Sequence, residues 1–184
     1  MNEQGLKSRL KSIAAQKQMT FNQVWKQLLL ERFLARLSLS EHREKFIFKG
    51  GLLLANYLDI GRETMDIDFT LKKFKANMQG IKSVIIEFCK TKAIDNFNFE
   101  WDRVEILEQP HMEYMGYRVY LHASFINMKD KVQIDIGVGD NVNPNEAIFP
   151  SLKYKGQPLF QQPIKLFMYP AESIFAEKLE TIVA

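Results

Sequence analysis

What the sequence has little of narrows it first. One cysteine among 184 residues, Cys89, cannot form an internal disulfide or a multi-cysteine zinc site, so the chain reads as cytoplasmic. Six prolines and nine glycines exclude collagen-like repeats and low-complexity scaffolds. No apolar run approaches the ~20 residues that span a bilayer, because Lys, Asp or Gly interrupts each one. The first residues, Met1-Asn2-Glu3-Gln4, lack the apolar core of a secretion signal. Neither sign of charge dominates, the net being +3. What is present is ordinary for a globular chain: 46% apolar and 26% charged residues. That is enough to bury the core of one domain, or of one domain with a helical appendage, and no membrane partner is expected.

The charge is unevenly spread. Residues 1–50 carry ten Lys/Arg against four Asp/Glu, whereas residues 51–184 carry fifteen against eighteen. A basic front would suit a polyanion, yet solvated helix faces are the simpler explanation of charge alone.

The first 45 residues read as helical. Thr20 with Gln23 forms a capping box, so a helix starts there, and Phe21, Val24, Trp25, Leu28, Phe33 and Leu37 follow at helical spacing. Leu6, Leu10 and Ile13 predict a short helix before it, and Ser38–Lys45 predicts a turn with a short helical piece. Then the pattern changes. Phe46-Ile47-Phe48 reads as a short strand ended by Gly50-Gly51, with a buried helix over Leu52–Leu58. Met65–Leu71 alternates apolar and polar residues, the period of a strand with one buried face. Residues 77–92 predict a helix with Ile81, Ile85 and Phe88 on one stripe. Phe97–Trp101, Tyr117–Phe125 and Val132–Val138 alternate again, the last two joined by a hairpin turn over Asn127–Asp130. Residues 140–163 read as loop with a short strand near Leu152–Lys155, then a strand over Ile164–Met168. Pro170 opens a final helix, Ala171–Val183. The expected fold is α+β: a mixed sheet with flanking helices on one side and a helical N-terminal layer.

Three features carry chemistry. Gly50-Gly51 lies between a strand and a helix, where the backbone can approach a ligand and free N–H groups suit phosphate; alone, this is usually only a tight turn. Asp66 and Asp68 project from the same strand face, about 6–7 Å apart, opposite the core-facing Ile67, Phe69 and Leu71. Two such carboxylates repel unless a cation lies between them, and hard oxygen ligands suit Mg²⁺. Asp135 occupies the polar phase of a strand otherwise apolar, between Ile134 and Ile136, and needs a partner or a metal. Taken singly it reads as half of an ion pair. If its strand lies beside that of Asp66, three carboxylates converge as in two-metal phosphoryl or nucleotidyl transfer.

Together these residues resemble the nucleotidyltransferase superfamily, the polymerase-β-like fold. Four blocks narrow the resemblance to the AbiEii family of toxins from abortive-infection and type IV toxin–antitoxin systems. They are Phe48-Lys49-Gly50-Gly51, Arg62–Phe69, Gln133–Asp140 and the run from Tyr169-Pro170-Ala171-Glu172 to Ala176-Glu177-Lys178-Leu179-Glu180. The resemblance implies a domain over residues 46–184 that moves a nucleoside monophosphate from an NTP to an acceptor hydroxyl, on tRNA, behind a helical layer over residues 1–45. It implies that Asp66, Asp68 and Asp135 bind metal, with two Mg²⁺ ions, and that Asp135 can instead help deprotonate the acceptor. Gly50, Gly51, Arg62, Thr64 and Lys178 would hold the nucleotide phosphates, Lys178 as a point charge. A cognate antitoxin is a further expected partner. Members of the family continue into another Arg/Lys-Asp motif and a C-terminal helical region, which this sequence, ending at Ala184, lacks. A truncated or shortened member is therefore expected. Two other readings stand beside the transferase. One is a metal-dependent nuclease on the same three acids, which the Gly-Gly element argues against. The other is a non-catalytic nucleotide- or partner-binding module.

Outside these blocks, His42, His111 and His122 show no ligand spacing, and Cys89 is expected to be buried rather than reactive.

Overall fold

Local signals decide where the first helices begin. In the computed structural model, which describes residues 1–57, 66–72, 77–107, 116–139 and 143–175, the Asn2 side chain accepts from the Gly5 N–H and opens α1 (Glu3–Lys17). Thr20 and Gln23 form the expected capping box at the start of α2 (Phe21–Ser38). A short strand, β1 (Phe46–Lys49), runs directly into α3 (Gly50–Tyr57). After β2 (Asp66–Leu71), Asn77 caps α4 (Met78–Lys90) through the Gly80 N–H. Then come β3 (Phe97–Leu107), β4 (Gly116–Phe125), β5 (Met128–Val138), β6 (Asn145–Phe149), β7 (Lys153–Tyr154), β8 (Gln157–Pro158) and β9 (Ile164–Met168).

Seven strands form one mixed sheet in the order β3-β4-β5-β2-β1-β9-β6. The pairs β2–β5 and β1–β9 are parallel and the others antiparallel, so the sheet is the mixed one expected. One face is continuous core. Ile67, Phe69, Val132, Ile134, Ile136, Val119 and Leu121 are all within 1% of full burial and lie opposite one another across β2, β5 and β4. The helices cover the sheet, α2 against β9 and β5, α3 against β1 and β2, and α4 against β3. A single apolar cluster runs from Leu6 of α1 to Ile174.

Four expectations change. The hairpin between β4 and β5 turns on Ile126 and Asn127 alone, with Phe125 opposite Met128, and not on Asn127–Asp130. Ile126 takes φ 55 there, a left-handed conformation that a β-branched side chain rarely adopts, and stands half-exposed. β3 continues six residues past Trp101, where a bulge between Trp101 and Arg103 shifts its core-facing phase to Val104, while Ile106 stands exposed. Residues 145–149, expected as loop, pair with β9 as the edge strand β6. The short strand expected near Leu152–Lys155 is a two-residue arm of a separate hairpin, β7–β8. Of the final helix, residues 171–175 are helical and the remainder lies outside the described residues. No described helix is long and apolar enough to cross a membrane.

Candidate active site

The second face of the sheet carries the charge. Because directly opposed residues share a face, the strand register lines up Lys49, Asp68, Asp135, Arg118 and Glu105 across β1, β2, β5, β4 and β3. A second row, one pleat along, holds Asp66, Gln133, Tyr120 and Arg103. Arg103 and Glu105 reach this face only through the bulge at Trp101, which flips the phase of β3.

Asp66, Asp68 and Asp135 therefore converge. Each offers a carboxylate oxygen within 4.8 Å of the others, and all three are half-buried. Their separate placements follow from the fold. The alternation of β2 puts the first two on one face, and the parallel pairing of β2 with β5 puts Asp135 beside Asp68. The crowding has an electrostatic signature. Burial, reinforced by Asp66 and Asp135, pushes the Asp68 carboxyl up to about 6, against the Gly51 N–H bond and the nearby Lys49, which pull it down. Hard oxygen donors of one sign, held this close on rigid strands, fit a divalent cation such as Mg²⁺.

The glycines act on the carboxylate as well. Gly50 takes φ +79, and a Cβ there would lie 1.9 Å from Asp68 Oδ2. The Gly51 N–H donates to Asp68. The backbone approach expected for a phosphate is thus, in this structure, an approach to Asp68 at the start of α3. Lys49 sits opposite Asp68 with its Nζ 5.2 Å from the Tyr169 ring.

One residue of the site was not foreseen from the sequence. Arg118 grips Asp135 with both ends of its fork, Nε to Oδ1 at 2.8 Å and Nη2 to Oδ2 at 2.7 Å. Gln133 Nε2 adds a long contact to Oδ1 at 3.4 Å. The ion-pair half of the Asp135 reading is therefore realised, alongside its place in the acidic cluster. The paired carboxylate holds the Arg118 proton more firmly than usual, chiefly through these hydrogen bonds. Arg62, Thr64 and Lys178, expected at the phosphates, lie outside the described residues, as does His111. His42 meets Glu87 at 2.9 Å, and His122 is an exposed residue of β4. Cys89 is half-buried, and burial pushes its thiol up to about 11, consistent with an unreactive role.

A mixed sheet that presents Asp-x-Asp on one strand and a third Asp on its parallel neighbour, next to a Gly-Gly helix start, defines a nucleotidyltransferase-like domain. The family model for the nucleotidyl transferase AbiEii toxin of type IV toxin–antitoxin systems matches residues 32–184, and the chain belongs to that family. Among solved structures, the chain resembles JHP933 from Helicobacter pylori at 15% identity and a TM-score of 0.48, over 87% of this chain and 57% of that one. It thus spans little more than half the length of that protein. Among curated proteins, none matches the sequence.

Proposed function

We propose that the protein is a Mg²⁺-dependent nucleotidyltransferase that moves a nucleoside monophosphate from an NTP to an acceptor hydroxyl on tRNA, acting as a toxin with a cognate antitoxin. The observation that carries this reading is the convergence of Asp66, Asp68 and Asp135 beside Gly50-Gly51, inside the segment matched by the family. Asp66 and Asp68 would hold the metal, which when bound supplies positive charge to the triphosphate and the leaving pyrophosphate. The chain's own residues set the geometry. The rigid strands fix the two carboxylates one pleat apart, Gly51 orients Asp68 through its N–H, and Lys49 contributes positive charge at the end of the row. Arg62, Thr64 and Lys178 are the proposed phosphate partners. In the transfer, the acceptor oxygen bonds to the α-phosphorus, the bond to the β-phosphate oxygen breaks, and pyrophosphate leaves as the acceptor proton passes to a base. The surplus of Lys and Arg in residues 1–50 would suit an RNA acceptor.

The test is incubation with each radiolabelled NTP, Mg²⁺ and bulk tRNA. Label should move to the tRNA and be lost with Asp66→Ala; no transfer, or transfer undiminished by that change, overturns the reading. Shortened RNA in the absence of NTP would favour a nuclease on the same acids, and NTP binding without turnover would favour a binding module.

A further inference from the structure

The three carboxylates are not equivalent, and Arg118 is the reason. Asp68 meets the Gly51 N–H and shares its row with Lys49. Asp135 is held by a bidentate guanidinium on both oxygens, with Gln133 as a third donor. A fork of this kind aligns both N–H groups with the carboxylate plane and is among the strongest contacts available to an acid. The pair is also sheltered, the Asp135 side chain being 18% exposed and that of Arg118 32%, so solvent screens it only in part. Arg118 is backed from both rows: Glu105 lies opposite it on β3, and the Tyr120 hydroxyl of the second row, 3.3 Å from Glu105 Oε2, is also bonded to Arg118. A divalent ion drawn onto Asp135 would have to sit against that guanidinium, and like charges at such range repel by an amount comparable to a ligand bond's net gain.

We propose that Arg118 is a positioning residue that takes Asp135 as its own counter-ion. On the nucleotidyltransferase reading above, on which this rests, the ion then belongs to Asp66 and Asp68. Asp135 serves as the fixed wall of the site and not as a shared ligand, and a single ion is bound before nucleotide arrives. The fork does two things at once. It neutralises the acid opposite Asp68 on the parallel strand, so that three carboxylates can fold onto one patch, and it locks the Asp135 rotamer in register with Asp68.

The experiment is Mn²⁺ binding to the full chain by calorimetry and by electron paramagnetic resonance, without nucleotide, with circular dichroism to verify folding. The wild-type chain should bind one ion. Asp68→Asn should abolish saturation in the accessible range, whereas Asp135→Asn, which removes no ligand but leaves the Arg118 charge unopposed, should weaken binding by only about tenfold. Arg118→Ala should tighten Mn²⁺ binding by about tenfold, the scale of one unit charge a few ångströms away, while lowering the melting temperature of the metal-free protein. Arg118→Lys, which keeps the charge and loses the fork, should bind Mn²⁺ within about threefold of wild type. A role confined to packing would lower the melting temperature without tightening the metal. Loss of Mn²⁺ in Asp135→Asn as complete as in Asp68→Asn, two ions per chain, or weaker binding in Arg118→Ala overturns the proposal and leaves the transferase reading standing. No Mn²⁺ bound by the wild-type chain overturns both.

Discussion

Two clusters of charge among the described residues are built on opposite principles. Beneath α2, Glu31, Arg32, Arg36 and Asp95 are each at most 5% exposed and balance two acids with two bases. Arg36 forks onto Asp95 at 3.0 and 2.9 Å and also donates to the carbonyls of Arg32 and Phe97. Glu31 accepts from Arg32 at 2.7 Å and from the Leu152 N–H at 2.6 Å. Phe160 and Phe99 face the two guanidiniums at 4.6 and 4.8 Å. On the open face of the sheet, by contrast, only Asp135 of the three acids is held by an arginine fork, and Asp68 is left with a carboxyl pushed up to about 6. A buried cluster whose charges cancel within the chain is architecture, tying α2 to the start of β3 and to the loop at Leu152. A cluster left with surplus negative charge is suited to a cation from outside, and that imbalance is what would separate a site from a strut.

The widest difference should appear when each cluster loses one charge. Arg36→Ala leaves Asp95 buried with its main partner gone and should cost about 3–5 kcal/mol, read as a fall in the urea midpoint at unchanged slope. Asp68→Asn should do the reverse in metal-free protein, raising stability by up to about 3 kcal/mol at pH 7.5 while removing nucleotidyl transfer. The sign follows from the shift. Between the ordinary carboxyl value of 3.8 and about 6, the unfolded chain has released a proton that the folded chain still holds. Stability contributed by Asp68 is therefore greatest below about pH 4 and is lost as pH rises through about 6. The gap between Asp68→Asn and wild type should open across that window and close again when Mg²⁺ is added. A gap independent of pH would mean that Asp68 is not strained by its neighbours.

A smaller effect is expected from the glycine that makes room for this acid. Gly50→Ala combines φ +79 with a Cβ placed 1.9 Å from Asp68 Oδ2, so it should cost about 2 kcal/mol. Because the displaced atom is the carboxylate itself, Mn²⁺ affinity should fall along with stability. Equal stability loss with unchanged Mn²⁺ binding would show that Asp68 relaxes without leaving the site.

How legible each cluster was depends on whether its geometry is local. The Asp66/Asp68 pair could be placed from the alternation of β2 alone, because strand period puts residues two apart on one face. The Thr20–Gln23 box likewise announced α2 from four residues. Arg118 could not be found that way, since its role depends on hairpin register. A turn over Asn127–Asp130 sets Asp135 opposite His122, whereas the two-residue turn at Ile126-Asn127 moves the partner four residues, to Arg118. Ile126 hid that turn, because no side chain of its type advertises a left-handed backbone. β3 was cut short for a related reason: the phase of Phe97, Phe99 and Trp101 breaks at the bulge and resumes at Val104. The buried cluster was invisible as well, for Arg32 and Arg36 sit among apolar residues of α2 with nothing in the helix to name Asp95, 59 positions away, as their partner.

The smallest test concerns the boundary between the two kinds of polar placement. Thr70 lies on β2 two residues after Asp68, in the same phase as the acids, yet it is 1% exposed and its hydroxyl has no hydrogen-bond partner among the described residues. It faces Ile47 and Gly137 across the sheet, so the charged face has already become apolar there. A buried hydroxyl without a partner carries its desolvation cost uncompensated. Thr70→Val keeps the shape, the β-branching and the strand propensity while removing that group. Stability should rise by about 1 kcal/mol, measured by urea unfolding in EDTA, with Mn²⁺ affinity unchanged. A rise would put the limit of the site between Asp68 and Thr70. A loss of stability accompanied by weaker Mn²⁺ would extend the site one pleat further along β2, and the acid face would then have to be read as a continuous polar track instead of a patch that ends at Asp68.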